Sequence, residues 1–426
     1  MPLNTAITTA ENLDKHDPLA PFRARFVIDD PDLIYLDGNS LGRLPQATAE
    51  RMQGTIEYAW GKRLIRSWNE GWIDLPVTLG AKITQLIGAE PDEVIVTGAT
   101  SINLFKLAAA ALRARPGKNR IVSDVFNFPS DLYILQGLID FLGNKHTLHL
   151  IPSRDGTHID DSAIDEAINE DTALVILSHV AFKSAFMYDM ARVTQRAQEA
   201  GALVLWDLSH AAGAVPVNLN ECNADLAVGC TYKYLNGGPG SPAFLYVRKD
   251  LQQKLIQPMW GWLGADKPFG FELDYTPAKD ISRFKVGTPP VLSMTAVQTG
   301  IEILLEAGMD ELRKKSVSQT EYMIMLFDDW LAPLGFSLGS PRNARQRGSH
   351  ISLRHAEAFR ITRALIETPP PAVRVIPDFR TPDNIRFGIT PLYTSYTDIY
   401  RAMERLREIT ESGLYEQYSS ERPIVT

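Results

Sequence analysis

The chain has 426 residues, 45% of them hydrophobic and 22% charged, with a formal charge of −8. That composition excludes a disordered chain, and the acidic balance argues against a nucleic-acid or anionic-membrane surface. Two cysteines, Cys222 and Cys230, can build neither a disulfide framework nor a C-x-x-C metal or redox site, which points to a reducing compartment.

A length of this order suggests two or three domains. The expected organisation is an N-terminal segment over 1–70 packed on the core, a large domain over 71–292, a long connecting helix over 293–332 and a small α+β domain over 333–426. Residues 1–22 lack the apolar core of a signal peptide, and no apolar run approaches the ~20 residues that cross a bilayer, so a cytoplasmic protein is expected. Short runs rich in Val, Ile and Leu at 94–97, 121–122, 147–151, 174–177, 203–206 and 226–228 read as buried parallel strands. Amphipathic stretches at 101–113, 130–142, 161–169 and 190–200 lie between them and predict a mostly parallel sheet with helices on both faces. One more strand is expected at 243–247, then aromatic and Gly-rich turns and a long helical stretch over 293–330. Beyond Pro333 strand candidates at 349–353, 373–376 and 384–389, with helices at 356–366 and 397–411, describe the smaller α+β domain.

Ligands of open α/β sheets sit beyond the carboxyl ends of the strands. Asp207 stands at such an end, and Lys233 follows the next strand between Tyr232 and Tyr234. Alone, Asp207 would suit a helix N-cap and Lys233 a solvated loop. Together they suit pyridoxal phosphate, with the lysine as Schiff-base partner and the aspartate on the pyridinium nitrogen. The strand, glycine turn and helix start at Thr100 and Ser101 offer N–H groups to a phosphate. Phe128, within Asn127-Phe-Pro-Ser-Asp131, is placed to stack on a cofactor ring.

At the level of motifs the chain resembles the kynureninase family, fold-type I pyridoxal-phosphate enzymes of the aminotransferase class V superfamily. The resemblance rests on an ordered set: Tyr35-Leu-Asp-Gly-Asn-Ser-Leu-Gly42, Ser67-Trp-Asn69, Thr100-Ser-Ile-Asn103, Asn127 to Asp131, Trp206-Asp-Leu-Ser-His210, Gly229 to Gly240, Gly261-Trp262, Gly287-Thr288 and Arg386 to Tyr393. It implies hydrolysis of L-kynurenine, or its 3-hydroxy relative, to an anthranilate and L-alanine, a step of tryptophan catabolism and of the kynurenine route to NAD. By the same resemblance Lys233 is the Schiff-base lysine and the base at the substrate α-carbon, with Tyr232 as the other candidate for proton transfer. Asp207 would hold the pyridine nitrogen and Phe128 would stack on the ring. Thr100, Ser101 and Tyr232, with Trp262 and Thr288 from the neighbouring subunit of a homodimer, would contact the phosphate. Ser130, Asp131, Ser178 and His210 would line the cofactor pocket, Arg386 would clamp the substrate carboxylate, and Ser40 and Trp68 would lie near the aryl group.

Three other readings compete. Gly38-Asn-Ser-Leu-Gly42 is a literal G-x-S-x-G, but it precedes the predicted sheet, and Pro45 follows where a regular helix should start. A cysteine desulfurase needs a nucleophilic thiol near the small domain, and no cysteine follows Cys230. An aminotransferase would need a pocket for a second amino acid, which no residue in the set suggests. His146 and His149 would face opposite sides of a strand and no H-E-x-x-H occurs, so no catalytic metal is expected.

Overall fold

The computed structural model describes residues 2–421, so the ends of the expected N-terminal segment and small domain, Met1 and 422–426, lie outside the described residues. Seven strands form the central sheet, in the spatial order Val94–Val96, Phe244–Val247, Leu226–Gly229, Leu203–Asp207, Thr172–Ser178, Arg120–Asp124 and Thr147–Ile151. Every pairing is parallel except the two made by Phe244–Val247. The strands alternate between two cores. Val94, Val96, Val175, Leu177, Val204 and Trp206 pack on one face with Leu79, Ile83, Val193 and Val297 from three helices. Ile95, Ile121, Ile176, Leu205 and Val228 pack on the other with Leu104, Leu107 and Leu135. This period of two, buried on both sides, turned the short apolar runs into parallel strands.

The small domain is a four-stranded antiparallel sheet ordered Asp378–Arg380, Asn384–Gly388, His350–Arg354 and Ser337–Leu338. The helices Ala358–Glu367 and Tyr396–Glu411 share its apolar core.

Three features depart from the sequence pattern. The long helix expected over 293–330 is two helices, Val291–Ala307 and Met309–Leu326, because Gly308 takes φ 78° and stops the first. The strand expected at 373–376, observed as Arg374–Ile376, stays out of the small-domain sheet and pairs in parallel with Leu33–Tyr35. The N-terminal helix Leu3–Lys15 buries Ala6 and Ala10 against the small domain's core. Its Asp14 accepts the backbone N–H groups of Tyr396 at 2.7 Å and Thr397 at 2.9 Å, so a carboxylate caps the positive end of the Tyr396–Glu411 helix. No helix among the described residues is long and apolar enough to cross a membrane.

Lys106, on the Thr100–Arg113 helix, is fully buried and donates to the carbonyl of Phe284 at 2.8 Å. Burial lowers its pKa from 10.5 to about 7. The unfolded chain therefore binds more protons at this site between those values, and folding grows more favourable as pH rises through them. Urea unfolding at pH 7, 8 and 9 should show wild type gaining on Lys106→Met with a slope of up to about 1.4 kcal/mol per pH unit. A constant difference across that range would show that the amine is not held neutral.

Candidate active site

Parallel register brings the first site residues together. Ser178 and Asp207 are partners at the ends of adjacent strands, and Asp207 sits beside Val228 of the next. Asp207 is buried, and its Oδ1 accepts both the backbone N–H of Ser209 at 2.8 Å and its hydroxyl at 2.6 Å. That fixes the carboxylate plane and leaves Oδ2 with one long contact, 3.4 Å to the Ser178 hydroxyl. Ser178 in turn donates to Asn127 at 2.7 Å. After Gly229 the chain turns so that Lys233 Nζ lies 2.9 Å from Nε2 of His210 and 5.9 Å from the ring centres of both Phe128 and Tyr232. His210 is held neutral, its pKa pushed well down by burial and then by the Lys233 charge.

Two helix starts complete the cavity. The Thr100–Arg113 helix has Ala99 at its N-cap with no side-chain cap, so N–H groups of its first turn point outward without a protein acceptor. Ser101 and Ser130 share a hydrogen bond of 3.0 Å at the mouth of this turn. Phe128 caps the Pro129–Phe141 helix with its ring 40% exposed, and Asp131 in the first turn is buried with Oδ2 unpartnered. Burial, then the neighbouring Asp207, raises the Asp131 pKa well above its usual range, against the pull of Lys233. Thr100, Ser101, Phe128, Ser130, Asp131, Ser178, Asp207, His210, Tyr232 and Lys233 line this one cavity, together with Phe182 and Ser209. Burial raises the pKa of Tyr232, which keeps its phenol protonated as a donor.

Arg386 comes from the small domain and is 1% exposed. Asp378 occupies its side edge, taking Nε at 2.9 Å on Oδ1 and Nη2 on Oδ2. Ser40 accepts from Nη2 at 2.8 Å and the Phe182 carbonyl from Nη1 at 2.6 Å. Of five N–H groups, one on Nη1 is left open. A substrate carboxylate gripped by two bonds must therefore replace Ser40 or Phe182 at the end of the fork. Asp378 also holds Arg380 at 2.7 Å, and Asn39 can accept from Nε of Arg386 at 2.9 Å in the amide orientation that satisfies both its ends. Asp37 beside them is pushed up to about 7 by burial and by Asp378. Near neutral pH, two guanidinium groups thus face one firmly ionised carboxylate, leaving positive charge for an anionic ligand.

The G-x-S-x-G segment is explained by the same contacts. A helix does begin behind it, at Gln46 after Pro45, but Ser40 donates to Asp378 at 2.9 Å rather than to a histidine. Gly42 is a close approach: its N–H donates to the Tyr232 carbonyl at 2.8 Å, and a Cβ there would lie 2.4 Å from both the Lys233 carbonyl and Asn236 Oδ1.

Trp262, Thr288 and Trp68 stay outside the Lys233 cavity. Trp262 and Thr288 are exposed and line two other surface clefts, and Trp68 packs edge-on to Trp72 at 5.6 Å. Sequence reading passed over Asn127 and Ser209 as individual residues, although both lie inside quoted motifs. It also passed over Asp378, Phe182 and His350, which no local pattern marks.

Known proteins resemble the chain over most of its length. A family model described as Kynureninase C-terminal domain matches residues 312–406. A kynureninase from Burkholderia mallei (strain SAVP1) is 46% identical over 405 residues, covering 94% of this chain and 94% of its own length. One from Pseudomonas fluorescens is 44% identical over 410 residues, with 95% coverage of each. Among solved structures, a cysteine desulfurase from Thermococcus onnurineus NA1 superposes with a TM-score of 0.78 at 19% identity, over 94% of this chain and 98% of its own. Another from Escherichia coli gives 0.76 at 18%, over 92% and 98%. These two share the fold.

The Asp378 network carries a stability prediction. Asp378→Ala leaves Arg386 and Arg380 buried without their carboxylate and should cost about 3–5 kcal/mol in urea unfolding at pH 6. Asp378 is one cause of the raised Asp37 pKa, so wild type, with Asp37 largely protonated at pH 6, should lose more stability toward pH 8 than the variant does, and the cost should shrink. An equal cost at both pH values would remove Asp37 from the network.

Proposed function

The chain belongs to the kynureninase family, and from that premise we propose that Lys233, Asp207, Tyr232 and Arg386 carry the hydrolysis of L-kynurenine, or its 3-hydroxy relative, to an anthranilate and L-alanine. The observation that carries the reading is the convergence of Lys233, Asp207 and Phe128 on one cavity with an uncapped helix start.

The residues fit pyridoxal phosphate. The free N–H groups at Thr100 and Ser101, with the Ser101 and Ser130 hydroxyls, suit its phosphate. The open Oδ2 of Asp207 suits a protonated ring nitrogen, and the exposed face of Phe128 suits the ring. The unpartnered Oδ2 of Asp131 and Nδ1 of His210 are further polar atoms that a polar ligand would satisfy. When bound, the cofactor supplies an aldehyde for the lysine amine and a ring that accepts the electron pair left at the substrate α-carbon.

The chain's own groups do the rest. Lys233 Nζ takes the proton from the substrate α-carbon, and His210, 2.9 Å away, holds that nitrogen in place. The Asp207 carboxylate, pinned by Ser209, would by its negative charge hold a proton on the ring nitrogen. Arg386 orients the α-carboxylate and so fixes the α C–H bond against the ring. Water adds to the γ-carbonyl carbon, the Cβ–Cγ bond breaks, and the β-carbon takes up a proton. The Tyr232 phenol, kept protonated by burial, and the Lys233 ammonium are the donors for the carbonyl oxygen and the β-carbon. A desulfurase reading lacks its nucleophile: Cys230 is buried and burial raises its thiol.

The exposure of Trp262 and Thr288 outside their own chain's cavity supports a homodimer in which each reaches the neighbouring phosphate. Trp68, next to Trp72, is assigned with Ser40 to the aryl side of the substrate. Two free cysteines suit the reducing cytoplasm as the compartment.

The holoenzyme should be yellow, and borohydride followed by peptide mapping should place the cofactor on Lys233. Lys233→Ala should fold and lose about 10²- to 10⁴-fold in kcat, the range of a lost general base. A colourless, cofactor-free protein with full activity would overturn the assignment.

Mixing inactive Lys233→Ala chains with chains inactivated at Thr288 should restore activity, since each hybrid dimer contains one intact site. No recovery after verified subunit exchange would end the shared-site proposal.

A further inference from the structure

His350 opens the His350–Arg354 strand of the small domain and is fully buried. Its ring lies against the backbone of Phe182, and neither ring nitrogen makes a hydrogen bond of ordinary geometry. Antiparallel register places His350 opposite Gly388 and Ser352 opposite Arg386, so His350 and Arg386 share the sheet face that looks at the large domain. Across that boundary the ring of His210 stands 5.5 Å away, centre to centre, with 55° between the planes. The Nδ1 of His210 is likewise buried and unpartnered, while its Nε2 faces Lys233. Two adjacent imidazoles therefore hold unsatisfied nitrogens, Nδ1 of His210 and at least one of His350, within reach of each other by a small ring rotation or one bridging water.

We infer that His350 is a positioning residue, which holds the ring of His210 across the domain boundary through an Nδ1–H···N hydrogen bond and so ties the seating of the small domain to the proton on Lys233. This rests on the functional reading above. The tautomers follow from the neighbours. Lys233 donates to Nε2 of His210, which places the His210 proton on Nδ1, and Nδ1–H needs an acceptor. A neutral His350 supplies a lone pair there and turns its own N–H toward the backbone of Phe182, which lies against its ring. The carbonyl of Phe182 already accepts Nη1 of Arg386 at 2.6 Å. A carboxylate that displaces this contact is thereby felt at His350, His210 and Lys233 in turn. Both imidazoles face Lys233 and Arg386, with Asp378 and Arg380 also in the small domain's set; Asp131 and Asp207 face Lys233 from the large domain.

The test uses the holoenzyme and its His350→Leu and His350→Gln variants. The visible absorption of the cofactor-bound lysine is titrated without substrate, and kcat and KM are measured separately. Without its Nδ1–H acceptor, His210 accepts the lysine proton less well. The spectral midpoint should fall by at least about half a pH unit in His350→Leu, and kcat should drop more than KM changes. His350→Gln, which can both accept and donate, should restore most of both. If His350→Leu is insoluble, His350→Asn against His350→Gln gives the same contrast. A wild-type midpoint in His350→Leu, or an equal kcat loss in both variants with the midpoint unmoved, overturns the inference. A wild-type holoenzyme with no lysine-linked visible band would instead overturn the functional reading beneath it.

Discussion

Parallel strand register is the constraint on which this site depends. Thr172–Ser178, Leu203–Asp207 and Leu226–Gly229 are buried at every position, with apolar side chains packed on both faces. A one-residue slip would exchange the two faces and drive Trp206 from one core into the other, so a single pairing is enforced. That pairing sets Ser178 next to Asp207 and lets the loop after Gly229 carry Lys233 back over the same strand ends. The polar groups are held: buried Asp207 by Ser209, buried Ser178 by Asn127, and half-buried Lys233 by His210.

The second half of the site arrives by a different route. Arg386, Asp378 and His350 sit on three strands of the small domain, and Ser40 comes from the N-terminal segment. The N-terminal segment is the fastener. Its helix Leu3–Lys15 packs on the small domain, Gly42 presses on the Lys233 loop, and Leu33–Tyr35 pairs with Arg374–Ile376. The charges of Arg386 and Arg380 against Asp378 keep this boundary polar.

The sheet and the meeting of Asp207 and Lys233 in one cavity were legible in the sequence because local signals suffice there. A short apolar run closed by a polar residue, as at Leu203–Asp207, states both the strand and the position of its tip. The break at Gly308 was not legible, since one glycine in a helical pattern reads as tolerated until its φ of 78° is known. The partner of Arg374–Ile376 was hidden for another reason: Leu33–Tyr35 lies at the opposite end of the chain, and no periodicity encodes long-range pairing. His350 and Asp378 escaped notice because their closeness to Arg386 follows from antiparallel register. Asp207 and Lys233, by contrast, follow consecutive parallel strands and could be paired by sequence alone.

The role proposed for this constellation is to add water across a carbon–carbon bond. The most direct measurement is turnover of L-kynurenine in ¹⁸O-labelled water, with both products followed by mass spectrometry. Anthranilate and L-alanine are expected in equal amounts, with one labelled oxygen in the anthranilate carboxylate, and both are expected far more slowly from Lys233→Ala. Release of an unlabelled aryl product, or of a keto acid in place of alanine, would contradict it.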